Sequence, residues 1–170
     1  MTKAKRTACR WIDENRRTYE ETARYIWENP ELSLVEFKSS EKLQEVLRTA
    51  GFKVVPGVSG MPTAFVASWG SGKPLIGFLA EFDALPNLSQ KAGFTRQSPV
   101  VPGGPGHGCG HNLLGASSCV WGRHYPCRED RVRAPAMPRV HTVPGRGSRL
   151  GLVQLGYPPR VDGGSMGGRA

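Results

Sequence analysis

Apolar positions recur along the chain with two different periods. Over residues 10–28, RWIDENRRTYEETARYIWE, the residues Trp11, Ile12, Tyr19, Ala23, Ile26 and Trp27 fall at mostly helical spacing among polar neighbours, which predicts an amphipathic helix. It should end at Asn29-Pro30, because proline pushes the residue before it out of helical backbone angles. A second helix is predicted over 35–50, where Leu43, Val46, Leu47 and Ala50 stand at i, i+3, i+4 and i+7 and Gly51 suits the position after the last turn.

The period then shortens. FKVVPG (52–57) and TAFVASWG (63–70) are β-branched and aromatic runs bounded by glycine and proline, and they read as strands. PLIGFLAEFDA (74–84) opens almost continuously apolar, the pattern of a strand buried on both faces. Its polarity returns abruptly at Glu81 and Asp83. Helices followed by strands predict an α/β fold with helices layered on a mostly buried sheet. Residues 84–106 read as a long loop, of the kind that is usually functional or disordered, and HNLLGA (111–116) as the start of a helix.

Past Ser118 the pattern fails. Residues 117–170 hold 9 Gly, 6 Pro and 9 Arg among 54 positions, and no helical or strand period stands out. The organisation expected is a domain portion over 1–116 and an Arg/Gly/Pro-rich tail over 117–170. A tail so poor in apolar residues is either disordered or, since arginine occurs there without lysine, the product of a frame change near codon 117.

Charge follows the same division. The chain carries a formal +9 over 170 residues, but residues 1–116 hold 14 Lys/Arg against 11 Asp/Glu, whereas the tail holds 9 Arg against 3 acids. The basic surplus, the only feature that suggests a nucleic-acid partner, therefore belongs to the tail. The four cysteines show no framework spacing, the first residues are charged rather than leader-like, and no apolar run approaches the roughly 18 residues of a membrane span. A reduced, cytoplasmic protein with no membrane association is expected.

The densest chemistry lies in PGHGCGHNLLGA, residues 105–116. Thiolate and imidazole are favoured zinc ligands, and Cys109 and His111 can face one ion if Gly110 turns the backbone tightly. A catalytic zinc takes three protein ligands and an open position, so further ligands must come from elsewhere. Asp83, at a strand end, suits metal binding or orientation, or equally a helix cap. Glu81 suits a supporting role around the metal or a plain exposed acid. His107, flanked by glycines, reads as a solvated loop residue or a substrate contact rather than a ligand. Asn112 reads equally well as an N-cap.

The stretches NPELSLVEFKSSEKLQEVLRTAGFKV, GKPLIGFLAEFDALPNLSQ and PVVPGGPGHGCGHNLLGA, in this order, resemble the zinc metallopeptidases that include aminoacylases, glutamate carboxypeptidases and desuccinylases. The resemblance is to their amidohydrolase branch and, within it, to the p-aminobenzoyl-glutamate hydrolase subgroup. It covers about residues 10–116. It implies an incomplete α/β metallohydrolase catalytic domain with Cys109 and His111 as metal ligands and Asp83 orienting the centre. Glu81, His107 and Asn112 would support the metal or touch substrate. The implied cofactor is a divalent metal, zinc by its ligands, with manganese or cobalt as alternatives. The implied substrates are small amides, N-acyl or N-aroyl amino acids or small peptides, and the complete family enzyme is implied to be a homodimer.

The family continues with a helix, a strand and a Glu-Glu pair that supplies the base and a further ligand. Glu20-Glu21 precede the motif, and Glu129-Asp130 sit in the arginine-rich tail, so neither matches that pair. An inactive chain, truncated relative to the family, is expected. Two other classes stand beside this reading. One is a small zinc-binding structural module built from Cys109, His111, Cys119 and Cys127. The other is a nucleic-acid-binding protein acting through its arginines, and there few aromatics, Trp121, Tyr125 and Tyr157, are available for stacking.

Overall fold

A computed structural model describes residues 2–70, 76–124 and 150–154. Helix α1 spans Lys3–Glu28, opened by the Thr2 hydroxyl, which accepts from the Lys5 N–H. It begins earlier than the apolar period, because Lys, Ala and Arg are strong helix formers that need no packed face. The break at Asn29 is as expected. Its buried residues among those described, Thr22, Ala23 and Ile26, lie in the last two turns.

Helix α2, Phe37–Thr49, has no side-chain bond from its own N-cap, Glu36. The Glu31 carboxylate takes that role from outside the helix, accepting from the N–H groups of Lys38 and Ser39 at 3.0 and 2.9 Å, two of the donors a helix start leaves unpaired. At the other end Phe52 N–H reaches Leu47 O and Gly51 N–H reaches Arg48 O, the Schellman pattern. This turn delivers Phe52 into the core beside Leu43 and Leu47.

Strands β1 (Lys53–Pro56) and β2 (Phe65–Trp69) form an antiparallel pair with Pro56 opposite Phe65. Strand β3 is Ile76–Ala80, helix α3 is His111–His124, and strand β4 is Leu150–Gln154. The sheet order is β1-β2-β4-β3, with β4 antiparallel to β2 and parallel to β3. The path β3-α3-β4 is therefore a βαβ crossover, the unit from which parallel α/β sheets are built. The core joins Ile26 of α1, Leu43 and Leu47 of α2, Phe65 and Ala67 of β2, Ala80 and Phe82 at the end of β3, and Cys119 of α3. The Phe65 and Phe82 rings stack with centroids 6.0 Å apart. Fully burying side chains such as Ile26, Leu43 or Phe65 stabilises the fold by about 1.5–3 kcal/mol each.

The layered α/β architecture is as expected from the pattern, with two corrections. Strand β3 lies at an edge of the described sheet rather than inside it, and Leu79 is 62% exposed. The second concerns the stretch where no period was visible. Helix α3 continues across residue 116 to His124, and residues 150–154 form a strand inserted between β2 and β3. A five-residue strand interrupted by glycine carries too little pattern to stand out, and what holds it is pairing with strands distant in sequence. The other tail positions lie outside the described residues.

Candidate metal centre

The segment leaving β3 is held in place before any side chain acts. Ala84 N–H donates to Glu31 O at 2.7 Å, and Leu85 and Gly106 exchange both backbone hydrogen bonds at 3.0 and 2.9 Å. Ser89 N–H continues the lacing to Gly104 O. The long loop of 84–106 is thus an excursion closed at its base. Gly106 tolerates the close approach because it lacks a Cβ, which would stand 1.9 Å from the Leu88 carbonyl oxygen.

The closed base brings the start of α3 beside the end of β3. Gly110, at φ +80°, turns the chain into the helix, and its carbonyl accepts from Leu113 and Leu114. His111, the first residue of α3, lies between two carboxylates: its Nδ1 is 2.8 Å from Asp83 Oδ1 and its Nε2 is 3.1 Å from Glu81 Oε2. All three side chains are partly exposed, at 23% for His111, 18% for Asp83 and 34% for Glu81. Cys109 is exposed, with its Sγ 3.8 Å from the Asp83 carbonyl oxygen. Asp83, Glu81, Cys109 and His111 therefore share one corner of the fold.

The donor chemistry of this corner accepts a cation. Both carboxylates are acceptors, so a neutral imidazole can donate to one of them alone. With Nδ1–H donated to Asp83, the Nε2 lone pair faces a Glu81 oxygen, and a cation shared by those two acceptors would satisfy both. A ring nitrogen held by a carboxylate while the other faces the metal is the usual arrangement of a histidine ligand. Among the described residues no group of three or more His, Cys, Asp and Glu side chains is arranged to hold an ion. They fit one part of a metal centre, the imidazole with its orienting carboxylate, and the remaining ligands must come from elsewhere.

Two other candidates are placed differently from the sequence reading. His107 is not solvated: it is 3% exposed, its Nε2–H donates to the Ile26 carbonyl at 3.1 Å, and its ring lies 6.4 Å from that of Trp27. Burial, the largest influence, pushes its pKa below the ordinary histidine value of 6.5. Asn112 is not the N-cap. It lies in the first turn of α3, buried, and donates from Nδ2 to the Ala23 carbonyl at 3.2 Å. The carbonyls of Ala23 and Ile26 are the part of this site that the sequence reading missed, since a backbone acceptor carries no residue-type signal.

The four-ligand zinc module loses one of its ligands. Cys119 sits in the hydrophobic core at 2% exposure, and burial pushes its thiol up to about 12, where it is not a thiolate ligand. Cys127 lies outside the described residues, as does the arginine-rich stretch on which nucleic-acid binding would rest. No helix among the described residues is long and apolar enough to cross a membrane.

A carboxylate-held histidine follows a Cys-Gly step where a βαβ unit leaves its first strand; by sequence the chain belongs with the amidohydrolases, and its fold is that of an M20 peptidase. No family profile matches it; pairwise likeness carries the assignment. It is 49% identical over 107 residues to one of the subunits of p-aminobenzoyl-glutamate hydrolase from Escherichia coli, covering 63% of this chain and 22% of that protein. It is 29% identical over 171 residues to the Xaa-Arg dipeptidase of Mus musculus, covering 94% of this chain and 33% of that one. Among solved structures, a dinuclear metal binding peptidase of the M20 family from Bacillus subtilis shares the fold with a TM-score of 0.54 at 18% identity, over 81% of this chain and 35% of its own. The chain thus spans between 22% and 33% of the length of these curated relatives. The likeness over 94% of the chain must also run well into residues 117–170, because the preceding 116 of 170 are too few to account for it.

Proposed function

We propose that this chain supplies one part of a divalent-metal centre for amide hydrolysis, with His111 and Cys109 as ligands and Asp83 as the group that orients His111. The observation that carries the reading is the His111 ring held between Asp83 and Glu81 beside Cys109. The substrates proposed are N-acyl or N-aroyl amino acids, such as p-aminobenzoyl-glutamate, or small peptides. Support comes from the relatives, which are named as a p-aminobenzoyl-glutamate hydrolase and an Xaa-Arg dipeptidase.

Such an ion, when bound, polarises an amide carbonyl and acidifies water. Asp83 keeps the Nδ1 proton and fixes the plane of the His111 ring. Glu81 presents an oxygen toward Nε2, at a distance that lets it share a cation or steady a neighbouring polar group. Cys109, exposed on its glycine turn, presents its sulfur beside Asp83. No general base is assigned among the described residues. Zinc suits the nitrogen and sulfur donors, while the carboxylates also suit manganese. The chain by itself is proposed to be inactive, and the complete enzyme to be a homodimer.

The test is metal titration of the full chain against a chromophoric chelator, with the unaltered protein, His111→Ala and Cys109→Ser side by side, and p-aminobenzoyl-glutamate cleavage followed on the same samples. Binding that weakens in both variants supports the reading. Equal binding in all three proteins removes His111 and Cys109 from the role. Cleavage that vanishes with either substitution would place a complete centre in this chain and overturn its proposed inactivity.

A further inference from the structure

His107 and Asn112 stand on either side of Cys109 and His111, and both reach the same face of α1. His107 Nε2 lies 3.1 Å from the Ile26 carbonyl and Asn112 Nδ2 lies 3.2 Å from the Ala23 carbonyl. Ala23 and Ile26 are three residues apart, hence neighbours on one face of the helix. Ile26 is also within the last four residues of α1, whose carbonyls find no partner in the continuing helix; Asn29 N–H and the His107 ring supply partners. Within the turn, Gly110 N–H donates back to the His107 carbonyl at 3.0 Å, so a shift of His107 is passed directly to the residue between Cys109 and His111.

The histidine is an awkward choice for mere filling. A carbonyl only accepts, so Nε2 must carry the proton, and Nδ1 is left as a buried lone pair with no partner among the described residues. An apolar side chain of similar size would fill the place without that penalty. What histidine adds is one directional bond to α1.

We infer that His107 and Asn112 are positioning residues, which clamp the Cys109–His111 turn to the end of α1 so that thiol and imidazole are presented in a fixed relation. This rests on the metal reading of Cys109 and His111. The clamp would make α1 part of the metal site through its backbone, by the carbonyls of Ala23 and Ile26. Glutamine at 107 can place its amide N–H near the position of the ring Nε2–H, whereas leucine cannot donate at all.

The experiment uses the full chain with zinc(II) and cobalt(II) as probes. His107→Leu is expected to weaken zinc binding about 10- to 100-fold, the usual cost of losing a group that holds a ligand in place. It is also expected to alter the cobalt–thiolate absorption of Cys109 at unchanged helix content. His107→Gln is expected to restore affinity to within about threefold, since it keeps the donor. Leucine binding as tightly as histidine, with an unaltered cobalt spectrum, overturns the inference. Should His107→Leu fail to fold, Asn112→Ala carries the same expectation, and unchanged affinity there overturns it. Nitrogen-15 NMR of the metal-free chain is expected to show the Nε2–H form of His107, and the Nδ1–H form overturns the clamp. An unaltered chain that binds neither metal but shows the Nε2–H form overturns the function reading and leaves the contact to α1 standing.

Discussion

His111 Nδ1 lies 2.8 Å from Asp83 Oδ1 across 28 residues of chain, and on the proposed metal reading a proton donated there leaves Nε2 to face a ligand. A carboxylate in this position sets both the tautomer and the plane of a metal-binding imidazole. Asp83→Ala should therefore lower zinc affinity about 10- to 100-fold while leaving α3 formed, because the helix start is held separately by Gly110 and Asn112. Chelator competition reads the affinity and circular dichroism reads the helix. Unchanged affinity would show that Asp83 does not orient the ligand.

The Cys-Gly-His step and the strand-end acids were legible because they join residue type to local spacing. Their convergence came only from the family resemblance and not from local pattern, since it depends on the Leu85–Gly106 pairing that closes a long loop. His107 and Asn112 were visible as residues but misplaced: what they bind are carbonyls of a helix more than 80 residues away, and any sequence presents the same carbonyls. Strand β4 failed for the opposite reason. It has non-local pairing on both sides and almost no pattern of its own.

Glu36 is fully buried, with its two oxygens accepting from Leu34 N–H at 2.9 Å and Thr63 Oγ1 at 2.5 Å. Leu34 sits at φ +69°, a conformation disfavoured for a branched side chain. The carboxylate therefore links a strained turn to the loop before β2. Glutamine keeps the shape but turns one acceptor into a donor, so Glu36→Gln should cost about 1–2 kcal/mol. Urea unfolding checks this, with a lowered midpoint at unchanged slope. A loss below about 0.5 kcal/mol would show that the second acceptor oxygen contributes little.

The core thiol gives a prediction in labelling and in pH. Burial raises Cys119 from the ordinary value of 9.0 to about 12, so its thiol form is favoured by folding. That contribution is fully present below about 9 and is lost as pH rises through the window up to about 12. With Cys127→Ser as background, a thiol reagent at neutral pH should modify the exposed Cys9 and Cys109 at once and Cys119 only after unfolding. Rapid labelling of all three would place Cys119 outside the core. Replacing it with alanine should also flatten the alkaline loss of stability between those two values.

Whether residues 117–170 belong to this fold is decided at β4. Leu152 is paired with Ala67 of β2 on one side and Phe78 of β3 on the other, so its backbone lies in the interior of the described sheet. Proline there removes a ladder donor, a change that interior strands do not accept. Leu152→Pro should then lower the unfolding midpoint sharply and strip amide-exchange protection from Ala67 and Phe78 together. A tail foreign to the domain, such as a frame change would produce, predicts the reverse, with midpoint and protection both unaltered. The likeness to a dipeptidase over 94% of the chain argues for the first outcome, because out-of-frame residues would not align with a functional relative. Loss of protection would extend the domain past residue 117 and make the C-terminal end of β4, parallel to the strand that delivers Asp83, the place to seek the remaining ligands.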